Sequence, residues 1–339
     1  MNHLLFEGPG QVRWEDVVCL DQAIVENTTS VDERPTPTLK MTRATMQLPN
    51  IPARFEQFDP RFACHGDAWW EHHFDDGRWT EGPVYVPAGR YLIFSDIPNN
   101  RSLRWDEPTN SVSTFQHDAN YANGRTLDRN GRVVTCEQGT RRVVRVEHDG
   151  TTTILADHYE GGRFNRPNDV VVSSDGAIWF TDPSYCIKSD YEGHASASEL
   201  DGNHVYRIGV DGAITQVTTD FEQPNGLAFN CDESELFIVD SGKNQIRRFG
   251  IDGSNLTGGS VIVETDHRGL DGIRFDTRNT IWAAAPDGVR NYATDGTLLG
   301  KIHLPEPVSN ITFGGAKRNR LFVTATRSLY SILLNINGA

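Results

Sequence analysis

Oxygen-bearing side chains recur along this sequence at the start of apolar, β-type runs. The six positions are Glu81, Asn123, Asn168, Asn225, Asp271 and Asn310, separated by steps of 42, 45, 57, 46 and 39 residues. Carboxylate and amide oxygens are the ligands that hard cations such as Ca²⁺ prefer. If the six positions meet in the folded chain, they form an oxygen cage for such an ion.

The repeat itself indicates how these positions would meet. A unit of roughly 40–45 residues that holds four short strands is typical of a β-propeller blade. In a propeller, the innermost strand of every blade starts near the central axis. The sequence therefore predicts an all-β, six-bladed β-propeller with a central metal site at one mouth of its channel.

Each repeat also contains a second apolar run, as expected for a strand buried between neighbouring blades. The second runs span residues 92–96, 133–137, 178–182, 236–240, 281–285 and 321–325. Asp96, Asp182 and Asp240 end three of them, and we expect these carboxylates to hold turns. The longest step, 57 residues from Asn168 to Asn225, has its additional residues at 183–203. This polar loop is either a lid over the site or a plain surface insertion.

Residues 1–50 do not join the repeat, and we expect them to form a partly irregular N-terminal extension. Residues 51–339 are then one propeller domain. The aromatic stretch at 54–80 is expected to supply an outer strand to the last blade. Such a strand closes the ring and removes two free sheet edges.

The composition limits the partners of this 339-residue chain. Its net charge of −14 argues against nucleic acid and anionic membranes. Its five cysteines are scattered without a C-x-x-C pair, which suits a reducing compartment. Charged residues such as Glu7, Arg13 and Glu15 interrupt any apolar stretch near the N-terminus. No signal peptide or membrane span is expected, so a cytoplasmic location is predicted; a homo-oligomer stays open.

Four motifs occur in a specific order along the repeats. They read E-G-P-V-Y at 81–85, R-F-N-R-P-N-D-V-V-V at 163–172, W-F-T-D-P-S-Y at 179–185 and P-N-G-L-A-F at 224–229. This combination resembles the SMP-30/gluconolactonase family, over about residues 52–335. The resemblance implies a six-bladed propeller with a divalent metal, and hydrolysis of a small-molecule lactone as the leading activity.

The resemblance also implies a ligand set. The family's metal ligands fall on Glu81, Asn168, Asn225 and Asp271. Two carboxylates and two amides favour Ca²⁺, while the lack of His or Cys ligands disfavours a dedicated zinc site. Mn²⁺, Mg²⁺ and Zn²⁺ stay open as occupants of the same cage. Cys186 departs from the pattern, because relatives usually have Gly there.

The expected chemistry is Lewis-acid catalysis, in which the metal polarises the lactone carbonyl and water attacks the carbon. Asp169 and Asp271 are the candidate general bases. Asp169 is favoured, because a metal ligand has a lowered pKa and is a weak base. Asn123, Arg166 and Tyr185 are candidate substrate-binding residues, with a turn for Asn123 and a rim salt bridge for Arg166 as the alternatives.

Other functions fit the same cage. A phosphotriesterase or a different lactonase would use the same metal. A non-catalytic binding propeller would keep calcium in a purely structural role. Loss of turnover on metal removal, with the fold intact, separates the enzymes from the binding protein.

Overall fold

Short antiparallel strands form nearly all of the regular structure in the computed structural model, which describes residues 48–266 and 269–339. Three strands precede the first blade: β1 (Ile51–Pro52), β2 (Arg54–Gln57) and β3 (Trp69–Phe74). The predicted N-terminal extension falls largely on residues 1–47, which lie outside the described residues. No helix within the described residues is long and apolar enough to span a bilayer.

The first three blades follow one another along the chain, each running from an inner to an outer strand. Blade 1 comprises β4 (Thr80–Val86), β5 (Tyr91–Asp96), β6 (Arg101–Asp106) and β7 (Ser111–His117). Blade 2 comprises β8 (Ala122–Leu127), β9 (Val133–Glu137), β10 (Arg142–Val146) and β11 (Thr152–Ala156). A hairpin of β12 (His158–Tyr159) and β13 (Gly162–Arg163) leads to blade 3, which comprises β14 (Val170–Val172), β15 (Ile178–Asp182), β16 (His204–Ile208) and β17 (Ile214–Thr218).

The last three blades repeat the pattern. Blade 4 comprises β18 (Pro224–Phe229), β19 (Glu235–Asp240), β20 (Gln245–Asp252) and β21 (Asn255–Glu264). Blade 5 comprises β22 (Ile273–Phe275), β23 (Ile281–Ala285), β24 (Gly288–Tyr292) and β25 (Leu298–His303). Blade 6 comprises β26 (Val308–Gly314), β27 (Arg320–Ala325) and β28 (Ser328–Leu333). The described residues also include two 3₁₀ helices, Ile97–Asn99 and Cys186–Lys188.

Strands from before the first blade complete blades 5 and 6. Strand β3 pairs with β28 and carries β1 on its far side, whereas β2 pairs with β25. The predicted outer strand of the last blade is therefore confirmed, and the same stretch also extends blade 5. The inner strands contact one another in order around the axis, with β26 against β4. The predicted six-bladed β-propeller is confirmed in the described residues.

Apolar side chains from neighbouring blades fill the spaces between the sheets. The largest cluster joins blades 5 and 6 through Trp70, Trp282 and Phe313. The second strands are buried on both faces, as their apolar sequences predict. The aspartates that end second strands hold turns, as expected: Asp240 accepts the backbone N–H groups of Glu222 and Gln223 at 2.9 Å each.

Candidate metal centre

The structure brings the six predicted positions to one end of the channel. Four of them lie in the first residues of inner strands β4, β8, β18 and β26, while Asn168 and Asp271 stand two residues before β14 and β22. Five of the side chains are buried, and Asp271 is partly exposed. The six oxygen donors predicted for a hard cation thus lie together in one ring at this mouth.

Glycines explain how closely these inner strands approach. The Gly124 N–H donates to the Asn168 carbonyl of the next blade at 2.8 Å. A Cβ on Gly124 would collide with that carbonyl and lie 2.6 Å from the Asp169 Cα. Gly82 has φ +51°, and a Cβ there would overlap the Asn123 carbonyl. The repeated Gly after a polar residue is thus a packing requirement of the ring.

Glu81 is a buried carboxylate held by neutral donors. Its Oε2 accepts the Gly82 N–H at 2.5 Å and the Asn310 Nδ2 at 3.0 Å. The Asn310 Oδ1 in turn accepts the Ile311 N–H at 2.9 Å. Both ends of the Asn310 amide are therefore engaged, so this ring member orients Glu81. Burial raises the pKa of Glu81, and the nearby Asp169 charge raises it further.

Asp271 is in a similar electrostatic position. Burial raises its pKa well above the ordinary value, followed by the charges of Glu81 and Asp169. Among the described residues, no Lys, Arg or His forms an ion pair with Glu81 or Asp271. Two carboxylates that repel each other in a buried ring have a strong affinity for a cation.

The two predicted amide ligands share one partner. Asn168 Nδ2 donates to the Tyr185 hydroxyl at 2.5 Å, and Asn225 Nδ2 donates to the same oxygen at 3.2 Å. Asn225 Nδ2 also reaches Ser241 Oγ at 3.0 Å, and Ser241 itself donates to the Leu270 carbonyl at 2.6 Å. Because both nitrogens are engaged as donors, each amide presents its oxygen on the opposite side, as a metal ligand requires.

Asp169, the predicted general base, lies behind this ring. Its Oδ1 accepts the Val170 N–H at 2.9 Å, and its Oδ2 is 3.3 Å from Arg274 Nη1. Its side chain is only 1% exposed. Arg274 lines the channel on the far side of the ring, a space of about 980 Å³ walled by all six inner strands. Asp169 is thus an ion-paired carboxylate between the ring and the channel.

Arg166, a predicted substrate-binding residue, bonds the loop at 183–203. Its Nη1 donates to the Glu192 carbonyl at 2.6 Å, and its Nη2 donates to the His194 carbonyl. The guanidinium is almost fully buried. Tyr185, from the same loop, reaches Asn168 and Asn225 as described above. The loop therefore packs at the mouth, where it contacts two ring side chains.

Sequence reasoning missed three residues at the mouth: Gln138, Glu192 and Ser241. Gln138 Nε2 donates to Cys186 Sγ at 3.3 Å, and that thiol donates to Glu192 Oε2 at 3.0 Å. Gln138 directly follows strand β9, as Ser241 directly follows β19. The position directly after a second strand was therefore the sequence signal that could have pointed to both residues. Glu192 lies in the non-repeating loop, where no register exists.

The donor set fits a hard divalent cation. The buried Glu81 carboxylate, the partly exposed Asp271 carboxylate and two oriented amides supply oxygen ligands with a total charge of −2. No group of three or more His, Cys, Asp or Glu side chains in the described residues has metal-binding geometry. A metal at this mouth would therefore depend on the Asn168 and Asn225 oxygens and on water.

The fold and the ring define a class: six-bladed propellers with an oxygen-lined channel mouth. The sequence model of the SMP-30/Gluconolactonase/LRE-like region matches residues 79–327. The chain belongs to this family.

Named relatives agree with that membership. A gluconolactonase of Zymomonas mobilis is 31% identical, over 76% of this chain and 79% of that protein. The pentonolactonase XacC of Haloferax volcanii is 29% identical, over 73% of this chain and 81% of its own length. A solved gluconolactonase structure from Xanthomonas campestris superposes with a TM-score of 0.80 at 33% identity, covering 86% of this chain and 99% of that one.

Proposed function

We propose that the protein is a metal-dependent lactonase that opens a sugar lactone to the hydroxy acid. The observation that carries this proposal is the ring of Glu81, Asn168, Asn225 and Asp271, three of them buried and Asp271 partly exposed, whose two carboxylates lack a partner cation among the described residues. Relatives named gluconolactonase and pentonolactonase support lactone hydrolysis as the reaction class.

The four ring side chains would hold the metal, and Ca²⁺ suits their oxygen chemistry best. Bound there, the ion would supply a Lewis acid for the lactone carbonyl. Tyr185 and Ser241 orient the two amides from behind, and Asn310 orients Glu81. These contacts fix the ligands before the ion arrives, which favours binding.

The remaining residues supply substrate placement and proton transfer. The loop held by Arg166 covers the mouth and would shield the bound lactone from bulk solvent, with the attacking water retained beside the carbonyl. Asp169 is the favoured general base, although Arg274 and the Val170 N–H already bond its two oxygens. Asp271 is partly exposed but is itself a proposed ligand. Both carboxylates remain candidate bases, and their variants differ in the expected result.

The test compares wild type, Asp169→Asn and Asp271→Asn on D-glucono-1,5-lactone, corrected for spontaneous hydrolysis, with calcium binding measured by calorimetry. Wild type should hydrolyse the lactone. Asp271→Asn should lose calcium binding and turnover together, whereas Asp169→Asn should keep calcium and lose about 100-fold in kcat.

Two results would change the proposal. Near wild-type turnover by calcium-loaded Asp169→Asn would remove Asp169 from the mechanism. A wild-type protein that hydrolyses a phosphotriester such as paraoxon but no lactone would refute the proposed reaction. The metal site would then still stand, because calorimetry measures it separately.

A further inference from the structure

Arg125 departs from the residue type that the repeat has at its position. The second residue after the ring position is apolar and fully buried in blades 3, 4 and 5, where it is Val170, Leu227 and Ile273. Blade 2 has Arg125 at this place, and only 4% of its surface is exposed. Because packing between blades favours an apolar side chain here, a buried guanidinium indicates a separate role.

The hydrogen-bond partners of this guanidinium are neutral. Its Nη1 donates to Ser95 Oγ at 2.5 Å and to the Asn123 carbonyl at 3.3 Å, and its Nη2 donates to Ser102 Oγ at 2.6 Å. These contacts leave the Nε–H and a second Nη2–H without an acceptor in the part of the chain that the structure describes. Burial lowers the pKa of Arg125 to about 10, so the side chain remains a cation at neutral pH.

Arg125 lines a cavity of about 260 Å³ between blades 1 and 2. Apolar side chains form much of the wall: Ile93 and Val144 are buried, while Phe115 and Val146 are exposed to solvent. An apolar cavity of about 150 Å³ holds benzene. This cavity therefore has room for a six-membered ring that carries a small polar group.

The carboxylates in the cavity wall already have cationic partners. Glu137 pairs with Arg142 at 2.6 Å, and Glu147 pairs with Arg132 at 2.8 Å. Of the Arg and Glu side chains in this wall, Arg125 is the one without an ion-pair partner among residues 48–266 and 269–339. An anion in the cavity thus meets a positive charge that no protein carboxylate balances.

We propose that this cavity binds a small carboxylate with an apolar body, and that the carboxylate bonds Arg125. A guanidinium binds a carboxylate through paired, charge-assisted hydrogen bonds. The apolar walls would cover the rest of the ligand, as is usual in small-molecule pockets. None of the four proposed metal ligands lines this cavity, so the site is independent of the metal centre and of lactone hydrolysis.

The test is calorimetric titration with benzoate and with benzamide, its uncharged analogue of nearly the same shape. Benzoate should bind wild type with a Kd of about 1 mM or tighter, and benzamide should bind about tenfold more weakly. Arg125→Leu should weaken benzoate binding about tenfold. This variant should fold, because Leu matches the residue type of blades 3 to 5 and an apolar residue often replaces a buried charge without loss of stability.

The matched control is Arg248→Leu, which removes a partly exposed cation of blade 4. It should bind benzoate like wild type. The pair Val146→Glu and Val146→Gln changes only an exposed wall residue, so both variants should fold. The added charge should make benzoate binding about threefold weaker in Val146→Glu than in Val146→Gln. This comparison decides the proposal if Arg125→Leu does not fold.

Three results would overturn the proposal. Wild type that binds no benzoate, or binds benzamide as tightly, would show that the cavity does not select a carboxylate. Folded Arg125→Leu with wild-type benzoate affinity would remove Arg125 from the site. Equal benzoate affinity in the two Val146 variants would place the binding outside this cavity.

Discussion

Glu81 and Asp271 place two carboxylates in a buried ring without a partner cation among the described residues. Burial and mutual repulsion raise both pKa values. The metal-free protein therefore contains an unfavourable local interaction that the proposed cation would reverse. If the ring binds that cation, the metal-free fold loses stability and the site gains affinity, as is common at metal sites.

Replacing Glu81 by Gln tests whether this carboxylate destabilises the metal-free protein and binds the proposed cation. Above the pKa of about 8 to which burial raises Glu81, the carboxylate is charged, so the neutral Gln removes the repulsion and metal-free Glu81→Gln should unfold at a higher temperature than metal-free wild type. Wild type should gain about 2.7 kcal/mol when calcium is 100-fold above its Kd. The variant should gain little from the same calcium. Calorimetric melting with and without calcium measures both effects.

The matched control is Glu160→Gln, which changes an exposed carboxylate away from the ring. It should melt like wild type in both conditions. A Glu81→Gln protein that is stabilised by calcium as much as wild type would contradict the role of Glu81 as a ligand.

The ring residues could be predicted because each occupies the same place in a repeat. The different contacts that these residues make could not be predicted from the repeat. Asn310 bonds Glu81 and its own following N–H, which only the folded contacts reveal. Arg166 reaches loop carbonyls 26 and 28 residues away, a pairing that local sequence does not encode. Glu192 lies in the loop at 183–203, outside the repeat, so its position in the sequence does not indicate a role.

The inner strands of blades 2 and 3 approach at Gly124 to a separation that only glycine permits. Gly124→Ala should push blade 2 away from blade 3, because two of the three colliding atoms, the Asn168 carbonyl oxygen and the Asp169 Cα, are backbone and cannot rotate aside. We expect a loss of about 1–3 kcal/mol in the free energy of unfolding, together with weaker metal binding. Denaturant unfolding and calorimetry measure the two effects.

Gly250→Ala is the control for this change. Its added Cβ meets the Thr257 hydroxyl at 2.9 Å, and that side chain can rotate. The control should unfold near wild type. Equal stability of Gly124→Ala and Gly250→Ala would show that the close approach of the inner strands is not required.

Strand prediction succeeded where apolar runs repeat and failed where pairing depends on distant segments. The second strands of all six blades lie within the predicted runs or a residue from them. By contrast, β2 joins blade 5 while β3 joins blade 6, although both come from one aromatic stretch. That division depends on which edge each segment meets after the ring has formed.

Closure of the propeller depends on this N-terminal segment. Trp70 of β3 is fully buried between blades 5 and 6, and its Nε1 donates to the His303 carbonyl at 3.0 Å. Trp70→Ala should cost about 3–5 kcal/mol. The adjacent Trp69 is 52% exposed, so Trp69→Ala should change stability by no more than about 0.5 kcal/mol.

Denaturant unfolding of both tryptophan variants tests this closure. A large loss for Trp70→Ala with little change for Trp69→Ala agrees with a ring fastened by β3. Similar small losses for both variants would mean that β3 adds little to the stability of the propeller.

Removal and restoration of the metal tests the proposed oxygen cage. Hydrolysis of D-glucono-1,5-lactone is measured before and after EDTA, and again with Ca²⁺, Mn²⁺ and Zn²⁺ added back singly, while circular dichroism monitors the fold. We expect turnover to vanish on chelation with the β-sheet spectrum intact, and one ion, most effectively Ca²⁺, to restore it. Full turnover in the metal-free, folded protein would contradict the metal-dependent mechanism.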